Sequence, residues 1–268
     1  MKRNALLIPM FALGLVAVAC GRPAEEAPEA ETAPAGTAAA PAAPSVDLSN
    51  AGTVTGTVSY TGEDPDRELD MGADPTCAEL HDQPVMTETV VGDGAGHLGN
   101  VFVYVKQGLE GEQFPVPQAQ VEIDQQGCAY APHVLGMMAG QTLLIKNSDP
   151  TLHNVHARPE ANREFNQGQP FQGMTLEKVF DKAELSVPFK CDVHPWMSAT
   201  LHVVENPYFA ISAEDGTFTI DQLPPGDYML EAVHENLGTR EASVTVPPNG
   251  AAGVTFDFSG GAAAAPAG

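Results

Sequence analysis

Between residues 52 and 258 the apolar positions recur with a period of two rather than 3.6. TVTGTVSY (53–60), VFVYV (101–105), TLLIK (142–146) and LSVPFKC (185–191) alternate or are β-branched. So do ATLHVV (199–204), GTFTI (216–220), DYMLEAV (227–233), EASVTV (241–246) and GVTFDF (253–258). Runs of this kind predict short strands with one buried face. DGAG, NSDP, LPPG and PPNG separate them with turn chemistry. No stretch predicts a helix, no Gly-rich loop precedes one, and no repeat recurs at a fixed period. The prediction is an all-β chain of sandwiches or barrels. Alternation in LSVPFKC puts Leu185, Val187, Phe189 and Cys191 on one face. After the turn NSDPTL, a strand starting at His153 turns His153 and Val155 inward and Asn154 and His156 away. His202 alternates away from Leu201 and Val203 and is expected to be half-exposed.

The ends read differently. In MKRNALLIPMFALGLVAVAC (1–20) two cations lead into an apolar run too short for a comfortable membrane span. Small residues precede Cys20. The segment resembles a bacterial lipoprotein signal peptide, which implies lipidation of Cys20 and a membrane-anchored protein on the periplasmic or extracellular face of the cell envelope. Residues 21–50, mostly Ala, Pro and Glu, predict a disordered tether reaching roughly 30 Å as a coil or about 90 Å as polyproline. The tail 259–268 predicts disorder.

Hydrophobic residues make up 43% of the 268 positions, enough for a core. Acidic residues outnumber basic ones 35 to 12, for a net charge of -23. That excludes a nucleic-acid partner, whose phosphates require Lys and Arg, and suits a basic protein partner.

Candidate chemistry concentrates in CDVHPWM (191–197), where Cys191, His194 and Met197 stand three residues apart. With 4 Cys, 8 His and 9 Met in the chain, a chance C-x-x-H-x-x-M is expected only about 0.004 times. Pro195 stops the preceding strand, so the three side chains share a tight loop. This loop, with NSDPTLHN (147–154) and CAYAPHVLGMMAGQTLLIKNSD (128–149), resembles the cupredoxins, the blue-copper electron carriers, most nearly their amicyanin-like members. The resemblance spans 118–205. Carried over, it makes His153, Cys191 and His194 the trigonal copper ligands, Met197 the weak axial ligand, and Asn154 a group that steadies the loop. It also makes His194 the ligand nearest solvent, with Trp196 beside it as a docking and electron-port residue. The donor set is independently suited to copper, since thiolate and thioether are soft ligands and zinc sites seldom use Met.

GTVTGTVSYTG (52–62), LGNVFVYV (98–105) and EDGTFTIDQLPPGDYMLEAV (214–233) resemble a carboxypeptidase-regulatory-like, or prealbumin-like, β-sandwich. The implied organisation is a cupredoxin Greek-key sandwich, 118–205, inserted in a smaller prealbumin-like sandwich built from 52–117 and 206–258. Cys77 and Cys128 remain. In an oxidising compartment they are expected to pair; a Cys2His2 metal site with His81 and His133, or free thiols, are the alternatives. His156 and His97 carry no ligand signal, and His234 reads as a structural histidine. The chain shows no covalent-haem motif and no second three-His cluster of the kind copper nitrite reductases carry, so no enzyme is expected. Together these features imply one type 1 copper per chain. The expected work is one-electron transfer with a redox protein such as a basic c-type cytochrome or a membrane oxidoreductase. The alternative is a cell-surface binding or adhesion lipoprotein whose copper is structural, stored or delivered.

Overall fold

In a computed structural model, residues 46–63 and 65–260 are described. Cys20, the signal segment, most of the tether and the end of the tail lie outside them. The described residues are all-β apart from one short helix. It opens with β1 (Gly52–Ser59), α1 (Pro75–Glu79) and β2 (Phe102–Gln107). Nine strands follow: β3 (Val121–Gln126), β4 (Ala129–Ala131), β5 (Val134–Met138), β6 (Thr142–Asn147), β7 (His153–Ala157), β8 (Phe165–Gln169), β9 (Thr175–Val179), β10 (Glu184–Lys190) and β11 (Ser198–Val204). It ends with β12 (Phe209–Ile211), β13 (Thr217–Leu223), β14 (Gly226–His234), β15 (Gly238–Val246) and β16 (Ala251–Asp257).

The strands from 121 to 204 form two sheets, ordered β5-β11-β10-β7-β8 and β4-β3-β6-β9. Ile123, Leu143, Ile145, Val155, Phe180, Phe189 and Leu201 fill the space between them. The remaining strands form β13-β1-β16 and β12-β2-β14-β15 around Val54, Val103, Val105, Ile220, Leu230 and Phe256. Pairing is mostly antiparallel, with β1–β16, β11–β5 and β3–β6 parallel.

A third apolar cluster joins the two halves. Phe102, Val134 and Val204 are its buried centre, with Leu185, Phe209 and Ile211 packed on it. A Cβ at Gly136 would lie 2.4 Å from the Phe102 ring and 2.8 Å from that of Phe209, so only glycine permits this approach. The seam also corrects the expectation for His202, which is 1% exposed. Its ring stacks on Phe102, centroids 4.3 Å apart and planes within 5°. Because β11 is covered on both faces, alternation along it does not separate inside from outside.

Two further differences are local. Ser186 adopts φ 57 in a bulge that puts three steps of β10 against two of β11. The extra residue resets the strand's phase. Val187, Phe189 and Cys191 keep one buried row, while Leu185 leaves it for the seam. The unpredicted α1 is five residues long, begun by Asp74 as N-cap with Pro75 at its first position. Among the described residues, no helix is long and apolar enough to cross a membrane.

Candidate metal centre

The centre is built where β7 begins and β10 ends. In the turn before β7, Asp149 N donates to Asn147 Oδ1 at 2.9 Å, and Asn147 Nδ2 ties back to the Thr151 and Gln169 carbonyls. This folds Asp149 beneath His153. Beyond β10 the chain doubles back at once: Met197 N donates to His194 O and Cys191 N to Met197 O. Asn154 is buried, not turned away, and its amide oxygen accepts from Asp192 N at 2.7 Å and Val193 N at 3.2 Å. It also takes the Cys191 thiol at 3.4 Å. Tyr130 clamps both strands by donating to the carbonyls of Asn154 and Lys190.

These constraints bring His153, Cys191 and His194 together, all buried, with one ligand atom of each within 4.8 Å of the others. The His153 and His194 Nδ1 atoms are 2.8 Å apart, and Cys191 Sγ lies 3.8 Å from His194 Nδ1. Metal bonds of roughly 2.0–2.3 Å to nitrogen and sulfur allow donors sharing one ion to sit up to roughly 4 Å apart, so these separations fit. Met197, 1% exposed, belongs to the same apolar cluster as Cys191.

Each imidazole points its other nitrogen at a carboxylate. His153 Nε2 meets Asp149 Oδ2 at 2.9 Å, and His194 Nε2 meets Asp74 Oδ2 at 3.0 Å. Hydrogen bonds of this kind hold the proton on Nε2 and leave the Nδ1 lone pair for a metal. In the metal-free site the electrostatics favour the Cys191 thiolate and a charged His153, so ligation by His153 releases a proton. Burial pushes the Cys191 thiol up, but bonding to His153 and to the backbone at Asn154, His194 and Val193 outweighs it and leaves the thiol below its ordinary value. Burial pulls His153 down, yet Asp149 and Cys191 together lift it to about 9 in the metal-free protein. Asp149 stays below the usual carboxylate range, its burial offset by His153 and the N–H groups of Cys128 and Gly127. Asp74 is held low chiefly by its bond to His194.

The outer side of the centre is closed. His194, expected to be the ligand nearest solvent, is only 2% exposed, because α1 lies over it. Cys77, on that helix, has Sγ 3.7 Å from His194 Nε2. It is disulfide-bonded to Cys128, which leaves neither sulfur for a Cys2His2 site. His81 instead meets the Gly127 carbonyl, and His133 meets Glu235 and the Ser198 carbonyl. Trp196 is half-buried; its ring centroid lies 5.0 Å from that of His194, and Nε1 donates to Cys128 O at 3.0 Å. With Pro195, Tyr130, Arg67 and Val85 it lines a groove of about 790 Å³. His156 is set apart, bonded to Asp192 and Glu164. His97 is a surface partner of Asp93. His234 is 2% exposed and accepts from Asn236 N and Leu237 N.

Asp74 and Asp149 were not singled out in the sequence. Asp149 had a signal, a carboxylate four residues before His153 in an Asn-Ser-Asp-Pro turn. Asp74 had only its place before a proline.

No protein-family model matches the chain, and no curated protein is similar to it in sequence. Among solved structures, it is similar to a purple cupredoxin from Nitrosopumilus maritimus at 22% identity and a TM-score of 0.27, over 31% of this chain and 98% of that one. A reduced Cu(I) form of an amicyanin variant aligns at 22% identity and a TM-score of 0.29, over 33% and 85%. The Cu-containing nitrite reductase of Thermus scotoductus aligns at 18% identity and a TM-score of 0.31. That alignment takes 37% of this chain and spans only 25% of the reductase.

Proposed function

We propose that the protein is a type 1 copper protein that carries single electrons in the cell envelope. The observation that carries this reading is the convergence of two Nδ1 atoms and one thiol in a buried pocket, with each Nε2 fixed on a carboxylate. His153, Cys191, His194 and Met197 would hold the ion, two imidazoles, a thiolate and a thioether being a donor set suited to copper. Copper bound there supplies a one-electron couple. Asn154 fixes the loop through two backbone N–H groups, Asp149 and Asp74 orient the imidazoles, and the apolar surroundings exclude water. Such a shell resists rearrangement when the charge at its centre changes by one. No catalytic step belongs to this reading.

In the same reading the sheets built from 121–204 are the copper unit, inserted in a prealbumin-like carrier. Cys20 bears the lipid anchor, and the net charge of -23 attracts a basic redox partner. Adding Cu(II) to metal-free protein tests the core of it. An intense visible thiolate-to-copper band at one copper per chain, lost in Cys191→Ser, is expected; a colourless Cu(II)-loaded wild type would refute it.

One observation favours a second reading, storage or delivery of copper: the outer edge of His194 is covered rather than presented. Reversible voltammetry with fast electron exchange supports the carrier. Handover of the metal to a second protein without such exchange supports the store.

A further inference from the structure

The segment 66–89 leaves the sandwich as a hairpin and returns over the metal centre. Its base is closed by backbone pairing of Leu69 with Val85 and Thr87 with Arg67, and by Asp66, which accepts from Thr89 N and Val90 N. Its tip is α1. Asp74 divides its two oxygens: Oδ1 caps the helix through Thr76 N at 2.8 Å, and Oδ2 takes His194 Nε2. One turn on, the Cys77 disulfide fastens α1 to the β3–β4 connection.

That connection is the two-residue turn Gly127–Cys128, with φ 65 and 53, the positive values a tight hairpin requires. Its two N–H groups both point at Asp149, donating to Oδ1 and Oδ2 at 2.7 Å each. The disulfide therefore ties together the supports of both carboxylates, Asp74 behind His194 and Asp149 behind His153.

We propose that this hairpin is a cap on the metal centre: Asp74 is the positioning residue for His194, and α1, pinned by the disulfide, closes the ligand's outer edge. Metal enters and leaves only when the cap lifts. The cap's role in metal exchange rests on the copper reading; the closure of His194 does not.

Two measurements separate these. In metal-free protein, carbethoxylation with diethyl pyrocarbonate, mapped by peptide mass, compares His194 with His97, whose side chain is 42% exposed. Wild-type His194 should react far more slowly than His97. Asp74→Ala, disulfide intact, should speed it about tenfold or more, while Asp74→Asn, whose single acceptor oxygen can serve the Thr76 N–H or the His194 Nε2–H but not both, should fall between alanine and wild type. In copper-loaded protein, removal of the metal by a chelator should be about tenfold or more faster in Asp74→Ala and in Cys77→Ala/Cys128→Ala. Thermal unfolding checks that each variant folds, and Asp74→Ala decides the matter if the cysteine variant does not. The cap is refuted if wild-type His194 reacts as fast as His97. The role of Asp74 is refuted if its alanine variant matches wild type in both measurements. If the wild type takes up no copper, the copper reading falls, while the carbethoxylation comparison still decides the cap.

Discussion

His202 should make the fold acid-labile in a way one substitution removes. It is sealed at the seam between the two halves, stacked on Phe102, with Nδ1 accepting from Ser186 N at 3.4 Å. A charged imidazole there would lose its hydration and gain no counter-charge in contact. Burial accordingly lowers its pKa to about 3, with Glu235 opposing only in part. The unfolded value is about 6.5. Between those limits the unfolded chain binds one more proton than the native chain, so stability is fully present above about pH 6.5 and falls as pH drops toward 3. One proton corresponds to about 1.4 kcal/mol per pH unit, and because the unfolded imidazole is only half protonated at pH 6.5, this residue alone removes about 2 kcal/mol from pH 6.5 to 4.5. His234, lowered to about 4 by burial, adds to the loss over a narrower window. His133 is raised despite its burial by Glu235 and Glu88, and its contribution is instead lost as pH rises. His202→Gln cannot titrate yet keeps an acceptor for Ser186 N. Urea unfolding of metal-free wild type and variant at pH 7.0, 6.0, 5.0 and 4.5 gives the two slopes. The variant's should be shallower by about one proton. Parallel curves would refute the assignment of a buried neutral His202, whatever the offset between them.

Met197→Leu should keep the visible copper band and shift the reduction potential, because the axial ligand tunes it; an unchanged potential by voltammetry would remove Met197 from the ligand set. Asn154→Ala leaves Asp192 N and Val193 N without their acceptor and should cost about 2–3 kcal/mol in urea unfolding. Gly136→Ala drives a methyl to 2.4 Å from Phe102 and should destabilise by about 1–3 kcal/mol, seen as a lowered Tm. Cys77→Ala/Cys128→Ala frees a separation of 51 residues and should lose about 4 kcal/mol on the chain-entropy account, read from denaturant midpoints.

What the sequence made legible was local. Period-two runs located β1, β2, β6, β11 and β13–β16 to within a few residues. The three-residue spacing of Cys191, His194 and Met197 marked a loop, because side chains that close along the chain cannot be far apart in space. The relations that were hidden are the long-range ones. Asp74 meets His194 across 120 residues, and nothing in PTCAE is periodic enough to announce a helix. The Asp-Pro start was the available signal. Leu185 was misplaced because Ser186 is a serine at positive φ, where glycine or asparagine would have suggested a bulge. His202 was misread because alternation reports burial only when one face of a sheet is wet, and a second sandwich dries the other face of β11.

The covered His194 edge changes what the centre asks of a partner. Were His194 exposed, a redox partner would need only to touch it, and the ligand itself would set contact and path. Here α1 and the disulfide stand at that edge. Of the side chains around His194, Trp196 has its ring beside the ligand and also lines the 790 Å³ groove. Its Nε1 is fixed on the Cys128 carbonyl, so the ring is held by the same turn that anchors the cap. Lifting the cap would therefore loosen the indole as well as uncover the imidazole. The carrier reading requires the opposite, a still ring and a closed site during electron exchange; the delivery reading requires the cap to move. Asp74→Ala disturbs the cap while the disulfide and the Trp196–Cys128 bond stay in place, and faster metal loss is expected there under either reading, so the exchange rate of the copper still bound is what separates them. A carrier working through Trp196 keeps that rate in the variant, whereas a store shows no fast exchange in either protein.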